Sequence, residues 1–141
     1  MVSKRVYVDH LTKVDLFSEF SRRDLERVAA AGTHMTLPAG TTLIRQDAQA
    51  LEAFVVLSGE VQIKRNGRSI GSVGPGAMLG ELSLLDQGAR TASATCVTDC
   101  DVLVVSAGQF RGLLMETPVL THKLLTNLAH RVRELDDRSY G

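Results

Sequence analysis

An excess of charge of either sign is missing from this chain: sixteen Lys and Arg residues balance sixteen Asp and Glu over 141 residues. With a sequence pI of about 6.9, no global field draws the chain toward nucleic acid or an anionic membrane, so recognition must be local. Long apolar runs are missing too. No stretch approaches the roughly 20 residues of a bilayer-spanning helix, and the N-terminus lacks the apolar core of a secretory signal. These absences predict a soluble, cytoplasmic protein with no nucleic-acid or membrane partner of its own. Cysteine is scarce: Cys96 and Cys100 are too few for a disulfide scaffold, and His10, His34, His122 and His130 are too scattered to complete a metal site. Buried free thiols and no metal are expected. No repeat or Pro/Ser-rich linker divides the chain, so one domain over 1–141 is expected, large enough to bury a core unaided.

Glycine is plentiful in one region. Eight of the twelve glycines fall between Gly40 and Gly88, separating short segments rich in Val, Ile, Leu and Thr. That spacing predicts a compact β unit over 33–105. Ala53 to Ser58 reads as a buried strand, and Val61-Gln62-Ile63-Lys64 as a half-buried one. Asn66-Gly67 suits a type I′ hairpin turn because both residues tolerate positive φ, and pairing of Val61 and Ile63 across to Ile70 is expected.

Helices flank this unit. In 1–32, Ser21 and Asp24 have capping-box spacing, Gly32 is a stop, and Leu16, Phe17 and Phe20 form an apolar clamp. In 106–141, a short helix near Gln109 to Met115 precedes a long one, with Thr117 as its N-cap and Pro118 at its first position. Leu120, Leu124, Leu128, Val132 and Leu135 recur along it at helical spacing. The predicted fold class is therefore α+β, mainly β: a jelly-roll-like β-roll with N-terminal helices, a short helix in its loop, and a long C-terminal helix.

Residues 80–92 concentrate the parts of an anion site. Gly80 lets backbone approach a ligand, and the turn from Glu81 to Leu85 aims unpaired amides at an anion from a helix N-terminus. Ser83 adds a hydroxyl, and Arg90 offers a planar fork for two phosphate oxygens. A carboxylate beside a phosphate repels it, so a useful Glu81 must accept a hydrogen bond from a sugar hydroxyl. The combination indicates a nucleotide rather than inorganic phosphate.

Gly80-Glu81-Leu82-Ser83 followed by Arg90-Thr91-Ala92 resembles the phosphate-binding cassette of cyclic nucleotide-binding domains. The resemblance extends to Leu37-Pro38-Ala39-Gly40, to Phe54 through Val61 and to Gly74-Pro75-Gly76, covering roughly Leu11 to Leu135. It implies that Glu81 binds the ribose 2′-hydroxyl, that Arg90 binds the cyclic phosphate, and that the amides of Leu82 and Ser83 assist. It also implies that Thr91 approaches phosphate or purine and that the C-terminal helix is a lid, with Leu135 or Tyr140 against the base. Three departures stand out. Leu79 replaces a frequent aromatic, Ala89 replaces a frequent proline that would fix the approach of Arg90, and Gln46-Asp47-Ala48 replaces a frequent glycine.

Without an assembled nucleophile, base and orienting group, the chain reads as a non-enzyme with no cofactor beyond its ligand. A metal-binding cupin is disfavoured because closely spaced histidines are lacking. The expected function is a sensor for a cyclic purine nucleotide, cAMP over cGMP, that signals through its C-terminal helix to a protein effector or a homodimer partner. Two alternatives are a sensor fragment of a catabolite-activator-type transcription regulator without its DNA-binding part, and a degenerate domain serving only as an interaction scaffold.

Overall fold

The computed structural model describes residues 8–9 and 11–140, with residues 137–140 given by their backbone. A 3-10 turn, Asp15–Phe17, leads to helix α1, Arg22–Ala31. The capping box forms: the Asp24 N–H donates to Ser21 Oγ and the Ser21 N–H to Asp24 Oδ2, both at 3.2 Å. Leu25, Val28 and Ala29 turn inward from α1, and the Phe17 and Phe20 rings meet at 4.9 Å beside it. Gly32 ends the helix by close approach, since a Cβ there would stand 2.5 Å from Leu103 Cγ.

Eight antiparallel strands follow in two four-stranded sheets. The first has the order β1 (Thr33–Leu37), β8 (Cys100–Ser106), β3 (Glu52–Ser58), β6 (Met78–Leu79). The second has the order β2 (Thr42–Ile44), β7 (Ser93–Cys96), β4 (Val61–Arg65), β5 (Arg68–Val73). Alternation along β3 explains its unbroken apolar run. Ala53, Val55 and Leu57 face the helices, while Phe54 and Val56 face the second sheet, so both faces are buried. Strand β8 divides likewise, with Leu103 and Val105 on the helical side and Cys100 and Val102 on the roll side.

Helix α2 (Glu81–Asp86) lies in the loop between β6 and β7, and α3 (Ala107–Glu116) and α4 (Pro118–Tyr140) complete the chain. Mixed α+β architecture with a dominant β-roll is thus what the chain adopts.

Three local expectations need correction. Ile70 is not the partner of Val61 and Ile63: Val61 pairs with Val73 and Ile63 with Gly71, while a bulge before Lys64↔Ser69 leaves Ile70 unpaired and 52% exposed. Thr117 stands at the N-cap position of α4, its carbonyl accepting from the Leu120 N–H at 3.0 Å, but its buried hydroxyl has no hydrogen-bond partner and makes no capping bond. Its N–H instead bonds the Leu113 carbonyl at 2.9 Å and ends α3. The apolar stripe of α4 is buried only at its start: Leu120 and Leu124 pack in the core and Leu128 is half-buried, but Val132 and Leu135 are exposed because this end of the helix runs beyond the roll.

Among the described residues, no helix is long and apolar enough to cross a membrane, and no cluster of His, Cys, Asp and Glu is suited to a metal ion. Cys96 and Cys100 are buried free thiols.

Candidate functional site

The loop from β6 to β7 is held at both ends. Leu79 pairs with Phe54 on β3, and the next residue, Gly80, turns left-handed at φ 82° to become the N-cap of α2. Only glycine fits there: the φ disfavours any side chain, and a Cβ would collide with Arg90 Nη1. Gln87, also left-handed at φ 55°, ends α2, and the Gly88 N–H bonds Asp86 Oδ1 at 2.8 Å.

Arg90 then returns beneath the helix. It is 6% exposed. Its Nη1 donates to the Gly80 carbonyl at 2.8 Å and its Nη2 to the Glu52 carbonyl, so the guanidinium ties the N-cap of α2 to the start of β3. Burial lowers its pKa, and Glu52 and Glu81 oppose that effect. It stays charged at neutral pH, as guanidinium groups do.

A cleft of about 110 Å³ opens on this group, lined by Gly80, Ser83, Arg90 and Thr91 together with Ile44, Ile63, Leu79 and Ala92 to Ala94. Apolar walls around one fixed cation lower the local dielectric and strengthen its pull on an anion. The first turn of α2 adds N–H groups that have no acceptor within the helix.

Glu81 is 9% exposed and does not line this cleft. With Leu82 it faces a second cavity of about 240 Å³ that reaches Leu124, Asn127, Leu128 and Arg131 of α4. Leu79 forms part of both walls. Burial raises the pKa of the Glu81 carboxyl, against the opposing effects of its own backbone hydrogen bond, Arg131 and Arg90. One acidic side chain therefore stands between two cations, one on the loop and one on the C-terminal helix.

The proposed site residues thus divide, with Gly80, Ser83, Arg90 and Thr91 around one cleft and Glu81 and Leu82 at its neighbour. Leu135, offered as a lid, is 60% exposed and lines neither cavity, and the side chain of Tyr140 lies outside the described residues. Asn127 and Arg131 were not singled out from the sequence. Their signal was their spacing, since they alternate with Leu124 and Leu128 on one face of α4.

The cyclic nucleotide-binding domain model matches residues 34–117, a span that includes the glycine-led turn, the buried arginine and the β-roll around them. This chain belongs to the cyclic nucleotide-binding domain family. It is 35% identical over 104 residues to the cyclic AMP receptor protein of Thermus thermophilus, covering 70% of this chain and 48% of that protein. It is 33% identical over 116 residues to the Pycsar effector protein XpPycTIR of Xanthomonas perforans, covering 81% of this chain and 38% of that protein. The chain therefore spans less than half the length of these two relatives. The crystal structure of the Thermus thermophilus catabolite activator protein superposes with a TM-score of 0.79 at 30% identity, covering 87% of this chain and 60% of that one. As a cyclic nucleotide-binding domain, the chain has the fold of a sensor module, and the cleft at Arg90 is its candidate ligand site.

Proposed function

We propose that this domain senses a cyclic purine nucleotide, cAMP in preference to cGMP, and passes on occupancy by moving α4. The observation that carries the reading is the buried Arg90 fork opening on a small cleft beside Gly80 and Ser83. In this reading the cyclic phosphate occupies that cleft, held by Arg90, by the Leu82 and Ser83 amides and, at its edge, by Thr91. The ribose 2′-hydroxyl donates to Glu81. Small-molecule sites typically start at roughly 300 Å³, more than the Arg90 cleft offers alone but within reach of it and the adjoining cavity jointly.

Signalling follows from where Glu81 faces. A 2′-hydroxyl on this carboxylate alters its electrostatic attraction to Arg131 across the shared cavity, so binding changes one of the forces between the loop and α4. Such a ligand shifts α4 only as far as it favours one arrangement over the other. Leu125, Val132 and Leu135 are exposed on α4 and offer the moving helix an apolar surface for a protein effector or a second copy. The preference for cAMP draws on the Thermus relative, whose name states that ligand.

Titration calorimetry with cAMP and cGMP tests the reading. Saturable binding of cAMP, tighter than of cGMP and severely weakened by Arg90→Ala, is expected; absence of heat with both nucleotides overturns it and leaves a scaffold role. The same relative favours a second reading at the level of a whole protein, in which this domain is the sensor of a transcription regulator. In that case, cAMP-dependent binding of the full polypeptide to operator DNA is the decisive measurement.

A further inference from the structure

Arg90 reaches its site without the proline that would stiffen its approach, and the turn opposite it, Gln46-Asp47-Ala48, lacks the expected glycine. The structure joins these two departures. Asp47 adopts the left-handed φ of 70° that glycine would supply. In that conformation its N–H donates to the Arg90 carbonyl at 2.8 Å, while the Arg90 N–H donates to the Ala48 carbonyl at 2.9 Å. The backbone of Arg90 is thus bonded on both sides to this turn, and Gln49 bridges Ala89 beside it.

The turn is itself anchored from two directions. Gln46 grips the tip of the β4–β5 hairpin with both ends of its amide: Oε1 accepts from the Asn66 N–H and Nε2 donates to Asn66 Oδ1, each at 2.8 Å. Its own N–H donates to Ser93 Oγ at 2.8 Å. The neighbouring hairpin residue, Arg65, donates from Nε to the Thr91 carbonyl at 3.1 Å. Residues 90 and 91 are therefore connected through two routes to one hairpin whose turn has both central residues at positive φ, Asn66 at 54° and Gly67 at 79°.

We propose that Gln46 and Arg65 are positioning residues for Arg90, clasping its backbone through the β4–β5 hairpin in place of the missing proline ring. Neither is assigned a contact with ligand; each acts on where the guanidinium stands. The inference rests on the nucleotide-binding reading for its effect on affinity. The clasp itself is open to a measurement that needs no ligand.

The experiment pairs cAMP calorimetry with amide hydrogen exchange on wild type, Gln46→Ala, Gln46→Glu, Arg65→Met and Gln46→Ala/Ala89→Pro. Loss of the two amide bonds is expected to weaken cAMP binding about tenfold and to speed exchange at the Asp47 and Arg90 amides. Gln46→Glu keeps the acceptor for the Asn66 N–H and loses the donor, so it should fall between, and it covers the case in which Gln46→Ala folds poorly. Arg65→Met should weaken binding less than Gln46→Ala. Adding Ala89→Pro should recover affinity, since the bridge uses the N–H of Arg90 rather than that of Ala89. Wild-type affinity and unchanged exchange in both Gln46 variants overturn the proposal. If wild type binds neither nucleotide, the functional reading fails, and the exchange rates alone decide whether the clasp holds Arg90.

Discussion

Replacing Arg90 with alanine strips two kinds of interaction at once, and the structure allows them to be separated. In the folded protein the guanidinium satisfies the Gly80 and Glu52 carbonyls. Bonds to a charged donor contribute about 1.5–3 kcal/mol each, and buried acceptors left without partners cost about 1–3 kcal/mol. Water entering the emptied cleft recovers part of this, so a loss of about 2–4 kcal/mol in stability is expected. For a chain of this length that lowers Tm by roughly 6–14 °C. The effect on ligand is distinct. Removing one member of a buried, hydrogen-bonded charge pair costs about 2–5 kcal/mol, or roughly 30-fold to several thousand-fold in Kd. Arg90→Lys discriminates further, because an ammonium keeps the charge but cannot serve both carbonyls and two phosphate oxygens at once. It should recover part of the affinity and less of the stability. The assay is differential scanning fluorimetry with and without cAMP, backed by calorimetry. At a concentration 100 times the wild-type Kd, ligand stabilises wild type by about 2.7 kcal/mol, and in Arg90→Ala this shift should shrink to about 0.9 kcal/mol or less. An Arg90→Ala variant that melts low yet still shows the wild-type ligand shift would refute the phosphate assignment while confirming the structural one.

The Glu81 carboxyl, held above its ordinary value of 4.5 chiefly by burial, accepts more strongly from a ribose hydroxyl when ionised than when protonated. Nucleotide affinity should therefore fall as pH drops through this raised pKa, whereas stability should rise over the window between it and 4.5, where the folded state binds the extra proton. Glu81→Gln should flatten both trends in calorimetry and thermal melts across that range. Asp101 behaves oppositely. Its carboxylate accepts from Thr36 Oγ1 at 2.7 Å and Ser58 Oγ at 2.9 Å and contacts His34 Nε2 at 3.1 Å, and these bonds, Thr36 foremost, hold its pKa below 3.8. Its contribution is complete above pH 3.8 and lost as pH falls through the lower folded value, so Asp101→Asn should melt lower than wild type at neutral pH and approach it in acid. Arg131→Ala, which removes the α4 cation facing Glu81, should change cAMP affinity by about threefold to tenfold with little change in Tm, and equal affinities would show that Glu81 and α4 are not coupled. Gly59→Ala places a Cβ 2.5 Å from the Asp99 carbonyl oxygen at a φ of 96° and should cost about 2–4 kcal/mol, read by urea unfolding.

Much of the fold was legible because its signals are local. The Ser21 to Asp24 capping box, the positive-φ pair Asn66-Gly67 and the apolar run through β3 each depend on residues a few positions apart, and each forms as expected. The expectations that failed depend on context. The register slip at Ile70 needs a bulge that no pattern of apolar residues announces, and the exposure of Val132 and Leu135 depends on where the roll ends rather than on the period of the helix. In the candidate site, Gly80, Ser83, Arg90 and Thr91 could be picked out because one short loop carries them all. Asn127 and Arg131 carried only their helical spacing, since they share a cavity with Glu81 only after the chain has closed over some fifty intervening residues.

By itself the sequence determined the parts list: a glycine that permits close backbone approach, an arginine with the fork for a phosphate, and a carboxylate suited to a sugar hydroxyl. Side-chain chemistry and short spacings carry that information, and both are properties of the covalent chain. Tertiary structure decided how the parts are held and what they face. Arg90 is bound to two carbonyls and clasped through Asp47 and Ala48, and Glu81 is turned toward α4, beside a cation fifty residues distant. These are distances across the fold, set by the packing of both sheets and α4 around one loop, and Gln46 and Ala89, which looked like defects in the sequence, acquire their meaning only there.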